Sequence, residues 1–156
     1  MDILPINVVI LGAIPEAILI LWAGLSLLGV RPSWKKLIMV GILQGISAYF
    51  IRRYTVFGWH TVVQLITLVI YTCIFVKVNI PTAAIAALLS FAVITIIEGC
   101  VYIFFPVDIA QILADEWLRL LFFVPHDLVL GWIGYICRKK NISLQQEFSI
   151  LRKIVK

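Results

Sequence analysis

Apolar runs of about twenty residues follow one another along nearly the whole chain with only short polar connections, and about twenty residues is what an α-helix needs to cross ~30 Å of hydrocarbon. A soluble domain would interrupt such runs with a solvated polar face on every helix. Composition agrees: 63% of the residues are hydrophobic and 13% charged, against roughly 45–50% and about 25% in ordinary globular domains. The expected fold is therefore an all-α integral membrane protein, a transmembrane bundle over residues 1–140 followed by a short cytoplasmic amphipathic tail over 141–156. Five spans can be drawn, at 7–29, 37–53, 58–78, 81–105 and 116–137. The first is too long for the hydrophobic part of a signal peptide and has no basic leader or small-residue cleavage site before it, so it reads as a retained helix.

An odd number of spans puts the termini on opposite sides, and short cytoplasmic loops collect Lys and Arg. With the C-terminus inside, Arg31, Lys35, Lys36, Lys77, Arg138, Lys139, Lys140, Arg152, Lys153 and Lys156 are cytoplasmic, which leaves only Arg52, Arg53 and Arg119 of the thirteen basic residues outside. The expected topology is N-out, C-in, multi-pass in the inner (plasma) membrane. The net charge of +5 then describes a rim facing anionic membrane lipids. It is not a nucleic-acid signal, because no basic stripe interleaved with exposed aromatics is present. Residues 104–117, "FFPVDIAQILADEW", connect the last two spans as either a short interfacial helix or an ordered loop. No internal repeat is visible, and five spans argue against an inverted duplication.

A charged group at mid-bilayer costs roughly 2.5–3.5 kcal/mol even on lenient scales, so each one needs a partner or a wet cavity. Glu16 lies about nine residues from the outer end of the first span, hence ~13 Å deep. Gly12, Ala13 and Ala23 share its side and allow close helix approach. In the second span Gly41, Gly45, Ala48 and Arg52 recur at steps of four, three and four, and "GILQG" is a GxxxG packing motif. Arg52 is thus expected to point inward near the outer surface, while Arg53 has the alternative of reaching lipid phosphates. The third span carries His60, Gln64, Thr67 and Tyr71 on one side, and the fourth carries Glu98 with Thr95 and Tyr102. In the fifth, "FFVPHDLVLGW" places His126 and Asp127 near the midpoint, next to a proline that frees a backbone carbonyl.

Two accounts compete for these residues. They form buried pairs that fix helix register, or they line an outward-opening pocket for a polar or amphiphilic ligand, extracellular or lipid-borne. Glu16, Arg52, His60, Gln64, Thr67, Tyr71, Glu98, Tyr102, His126 and Asp127 are the expected ligand-binding set. The pocket is favoured because Glu16, Arg52, Glu98, His126 and Asp127 are more ionisable groups than register alone requires in a bundle this small. No cofactor or metal is expected: Cys73, Cys100 and Cys137 are scattered without CxxC or Cys/His spacing and read as packing residues. Past Asn141, Leu144, Phe148, Leu151 and Val155 repeat at coiled-coil spacing, with Ser143 and Gln146 as a capping pair. Such a helix suits a signal-transmitting linker or a homodimer contact, and a basic amphipathic helix lying on the membrane is the alternative.

The stretches "PEAILILWAGLSLLGVRPSWKKLIMVGILQGISAYFIRR" (15–53), "FGWHTVVQLITLVIY" (57–71) and "LLFFVPHDLVL" (120–130) together resemble the multi-span N-terminal sensor regions of Firmicutes histidine kinases of the GHKL and sporulation-kinase kind. The resemblance rests on the Glu of "PEA", the short "RP" loop, the "GWHT" start and "PH". It implies detection of an extracellular or membrane-borne cue and control of a histidine kinase, with Glu16, His60 and His126 as the positions to test. The chain departs from that pattern in reaching Lys156 without a phosphoacceptor or ATP-binding domain, so it is expected to be a sensor fragment or to work through a partner kinase. The resulting expectation is a non-enzymatic membrane sensor that signals through its C-terminal helix. The alternative is a small transport component, such as the substrate-binding subunit of an energy-coupled importer. An intramembrane enzyme built on His126 and Asp127 is disfavoured, because no HExxH, GxSxG or catalytic Cys/His pattern accompanies them.

Overall fold

The computed structural model describes residues 5–56, 58–104, 112 and 115–144. Five helices account for nearly all of them: α1 (Ile6–Leu27), α2 (Trp34–Tyr54), α3 (Trp59–Val76), α4 (Ile80–Phe104) and α5 (Glu116–Lys140), with no strand among the described residues. The apolar runs of the sequence become these helices because a backbone in hydrocarbon can satisfy its N–H and C=O groups only within its own helix.

Four of the five, α1, α3, α4 and α5, are long and apolar enough to cross a membrane, as a multi-pass membrane protein requires. The second of the five expected spans falls short. Lys35 and Lys36 at one end and Arg52 and Arg53 at the other leave only residues 37–51 uncharged, about 22 Å of helix. Its outer face is nevertheless apolar, with Ile38, Ile42, Ile46 and Phe50 exposed at steps of four. The other helices also turn isoleucines and leucines outward, among them Ile10, Ile66, Ile70, Leu88, Ile96 and Leu128. An apolar perimeter around an interior holding ionisable groups inverts the pattern of a soluble bundle and suits acyl chains.

The centre belongs to α1. It packs against α2, α4 and α5, while α3 bridges α2 and α4. Small residues decide these approaches, since lipid gives helices no hydrophobic reason to associate and contact area must come from close packing. Ile18 and Ile14 of α1 fill the space beside Gly41 and Gly45 of α2, where an added Cβ would stand 2.4 Å from each isoleucine. At Gly24 an added Cβ would lie 2.1 Å from the Ala86 carbonyl oxygen of α4. Ser90 secures the same contact by donating to the Ile20 carbonyl at 2.8 Å. On the α5 side the Trp22 ring covers Gly134.

The helix ends are held by polar groups suited to them. Asp115 caps α5, its side chain accepting from the Trp117 and Leu118 amides at 2.9 and 3.4 Å. Asn79 accepts from the Thr82 amide at the start of α4. At the opposite end of α5, Arg138, Lys139 and Lys140 lie in the last turn, where the helix dipole favours cations, and Asn141 closes it at φ 54°. Arg138 also donates to the Pro32 carbonyl at 2.9 Å and lies over the Trp22 and Trp34 rings, and Arg31 bonds to Asn141. These contacts clasp the α1–α2 connection to the end of α5. The tail pattern expected from Leu144 to Val155, and the capping partner Gln146, lie outside the described residues apart from Leu144. The connection expected at 104–117 is likewise largely outside them.

Candidate functional site

A π turn at Val9–Ala13 precedes Pro15 in α1. Proline brings no N–H and crowds the carbonyl four residues back, so the helix widens ahead of it. That wider turn re-phases the face that follows, and Glu16 is the first ionisable residue on it. In α5, Pro125 lies within a continuous α-helix immediately before His126. Two proline-containing helices thus meet where charged side chains have to be accommodated.

His126 is the hub. Only 1% of its side chain is exposed, and its Nε2 lies 3.5 Å from Glu16 Oε1 and 3.9 Å from Asp127 Oδ1, while its Nδ1 lies 3.7 Å from Glu98 Oε1. Carboxylates from α1, α4 and α5 therefore surround one imidazole, and the three contacts are ion-pair distances rather than hydrogen bonds: neither ring nitrogen has a hydrogen-bond partner among the described residues. The Phe123 ring meets the imidazole edge-on at 5.7 Å and closes its remaining side. The charged groups are held near one another without being locked together.

The loose fit reflects space. A cavity of about 210 Å³ opens between α1, α2, α3 and α4, and its polar lining comprises Glu16, Gln44, Arg52, Thr61, Gln64, Thr95 and Glu98. A second cavity of about 150 Å³ shares Glu16, Arg52, Glu98 and Phe123 with the first and adds Arg119 and His126. The two cavities adjoin at Glu16, Arg52 and Glu98, and together they are called the compartment. Two acidic and two basic side chains plus an imidazole line it. A balanced set of this kind suits a guest carrying both signs of charge, since guanidinium groups pair with oxyanions and carboxylates with ammonium groups.

Of the ten residues expected to bind a ligand, Glu16, Arg52, Gln64, Glu98 and His126 line this compartment. The others lie elsewhere. Thr67 and Tyr71 face α2: Thr67 donates to Gln44 Oε1 at 3.2 Å, and the Tyr71 and Ser47 hydroxyls are 2.7 Å apart. Gln44 in turn donates to the Gln64 carbonyl at 2.8 Å. His60 is buried at the start of α3, where its Nδ1 accepts from the Gly58 amide at 3.3 Å. Tyr102 packs against Phe122, with ring centroids 5.0 Å apart and the planes tilted by 50°. Asp127 lies beside the compartment, 3.9 Å from His126 Nε2.

Sequence reasoning missed Arg119 and Gln44. Arg119 is 8% exposed, and its Nε donates to the Ile112 carbonyl at 3.3 Å. The signal was present: Arg119, Phe122, Phe123 and His126 fall three, four and seven residues apart, which places them on one helical side. Gln44 lies between Gly41 and Gly45 on the inward side of α2 and could have been read from the same spacing. No group of three or more His, Cys, Asp or Glu side chains among the described residues is arranged to hold a metal ion. Comparison of the chain with protein-family models, with curated proteins and with solved structures returns no match.

Proposed function

We propose that the protein is a receptor module of the plasma membrane, oriented N-out and C-in with all five helices embedded, that binds a small ligand carrying both charges in the compartment around Glu16, Arg52 and Glu98. The carrying observation is that three helices each send one ionisable side chain into a single cavity while the outside of the bundle stays apolar. Charges that served only to fix register would be expected to close on one another with hydrogen bonds, because a half-satisfied buried network is worse than an apolar core. Around His126 the carboxylates of Glu16 and Glu98 stand at 3.5 and 3.7 Å, beside a space of about 210 Å³.

The route for a signal follows the two helices that build the site. α1 and α5 carry Glu16 and His126 at one level and the Trp22–Arg138 clasp at the other. A guest that drew Glu16 away from His126 would change how these helices pack, and the change would arrive at Asn141, where the tail begins. Coupling to a histidine kinase, as the resemblance implies, is the output this reading favours.

The test is ligand-linked stability. The full chain in lipid nanodiscs is titrated with zwitterions small enough for the compartment, such as betaines, amino acids and glycerophosphoethanolamine, while the unfolding temperature is followed. A ligand at a hundred times its Kd stabilises by about 2.7 kcal/mol through mass action. Glu98→Gln and Arg52→Gln should abolish the shift without unfolding the apo protein. A shift that survives both substitutions refutes the site, and uptake of the same compound into reconstituted vesicles would favour a transport component instead.

A further inference from the structure

The polar lining of the larger cavity is divided by helix. α2 and α3 supply Gln44, Arg52, Thr61 and Gln64, whereas α1 and α4 supply Glu16, Thr95 and Glu98. One half of the lining thus carries a cation and N–H donors without an acid, and the other carries carboxylates without a base. The ionisable groups of α5 stand outside this division: Arg119 and His126 line only the second cavity, and Asp127 lies beside His126. Because α1 packs on α2 and α4, and α3 bridges those same two helices, α1 and α3 face one another across the space. Gln64 is therefore set on the wall opposite Glu16.

Most of these groups already have partners. Gln44 donates to the Gln64 carbonyl and accepts from Thr67, and Thr95 donates to the Phe91 carbonyl at 2.9 Å. Glu98 interacts with both Arg52 and His126, and Glu16 with His126. Thr61 is exposed in the first turn of α3. The Gln64 carboxamide differs. Its Nε2 is buried and has no hydrogen-bond partner among the described residues, although the backbone carbonyl of the same residue receives both Gln44 and Thr67. The residue is anchored to α2 through its main chain while its side-chain donor remains unspent in the cavity lining. A buried donor without an acceptor is destabilising, and an acceptor that enters the cavity relieves the cost.

We infer, resting on the receptor reading above, that Gln64 is the specificity-determining contact for the ligand's oxyanion, so that the zwitterion lies with this end against the α2–α3 half and its ammonium against Glu16 and Glu98. Arg52 favours the same orientation even while it interacts with Glu98, because its field requires only that the oxyanion be nearer to it than the ammonium is. A carboxamide suits the contact, since it donates to an oxyanion without adding net charge to a cavity set among apolar helices.

Binding to the full chain in nanodiscs is measured with two pairs of probes that share the kind of cation and differ in the oxyanion: glycine betaine with choline, and β-alanine with ethylamine. Gln64→Glu exchanges the donor for a carboxylate of the same shape. It should weaken glycine betaine and β-alanine by about tenfold or more and leave choline and ethylamine unchanged or tighter. Gln64→Leu should weaken both zwitterions and leave the unfolding temperature of the ligand-free chain at or above the parent's, because it removes a donor that the ligand-free bundle does not satisfy. Zwitterion affinities untouched by either substitution, equal losses within each pair, or a Gln64→Leu chain that unfolds below the parent each overturn the inference and leave the receptor reading in place. Binding of none of the four probes to the parent chain overturns both.

Discussion

The α2–α3 seam and the His126 cluster bury polar side chains by opposite rules. Along the seam Gln44, Gln64, Thr67, Ser47 and Tyr71 are neutral and meet at 2.7 to 3.2 Å. Around His126 the groups are ionisable, stand 3.5 to 3.9 Å from the imidazole and leave both its nitrogens without a hydrogen bond among the described residues. Neutral partners cost less to desolvate, so the seam acts as a fastening even with the Gln64 side-chain nitrogen left without a hydrogen-bond partner among the described residues. Ionisable groups cost much more to bury, and here they border a cavity, as the proposed ligand site requires. Within one bundle the contrast separates neutral polar groups that hold helices together from ionisable groups that border a cavity.

Substitutions can break that contrast or sharpen it. The largest effect is expected at His126. His126→Leu leaves Glu16, Glu98 and Asp127 facing one another without the imidazole between them, and should lower stability by about 2–3 kcal/mol, less than for fully buried charges because Glu98 is 37% exposed. Adding Glu16→Gln and Glu98→Gln should restore most of the loss in unfolding measurements. A lone His126→Leu that unfolds like the parent would mean the carboxylates do not depend on it. An intermediate effect is expected at Gln44, which bonds to both Gln64 and Thr67. Gln44→Leu should cost about 1 kcal/mol, and a double-mutant cycle with Thr67→Val should return a coupling near 0.6 kcal/mol. The smallest belongs to Tyr71→Phe, which removes only the bond to Ser47 and should cost no more than about 0.6 kcal/mol while leaving zwitterion binding intact. If Tyr71→Phe impaired binding more than Glu98→Gln, the division between fastening and site would be lost.

Much of the architecture was legible because the bilayer reduces helix prediction to run length and charge spacing. The Gly41–Gly45 face could be read in advance because only small residues let Ile14 and Ile18 approach so closely. Span length was less legible for α2, where continuous helix from Trp34 to Tyr54 includes four charged residues that a hydropathy count penalises. The polar stripe His60–Gln64–Thr67–Tyr71 has the spacing of one face, yet its members serve three ends: His60 bonds locally at the start of α3, Gln64 borders the cavity, and Thr67 and Tyr71 fasten α2. Spacing identifies a side of a helix but not the neighbour it meets. Arg119 was overlooked because its charge had served as a topological marker. A residue near a helix end can do both jobs, and only the fold reveals that Ile112 and Phe122 enclose it on the cavity side.

The central place of α1 also has a consequence for biogenesis. The first of the five helices to leave the ribosome packs on α2, α4 and α5, so its complete set of neighbours is available only once the last helix has been made. During that interval Glu16 faces lipid or its insertion machinery without the imidazole that will sit beside it. A membrane chaperone or protease that samples nascent helices would find its clearest mark of an unfinished molecule there, and quality control would read a carboxylate waiting for α5.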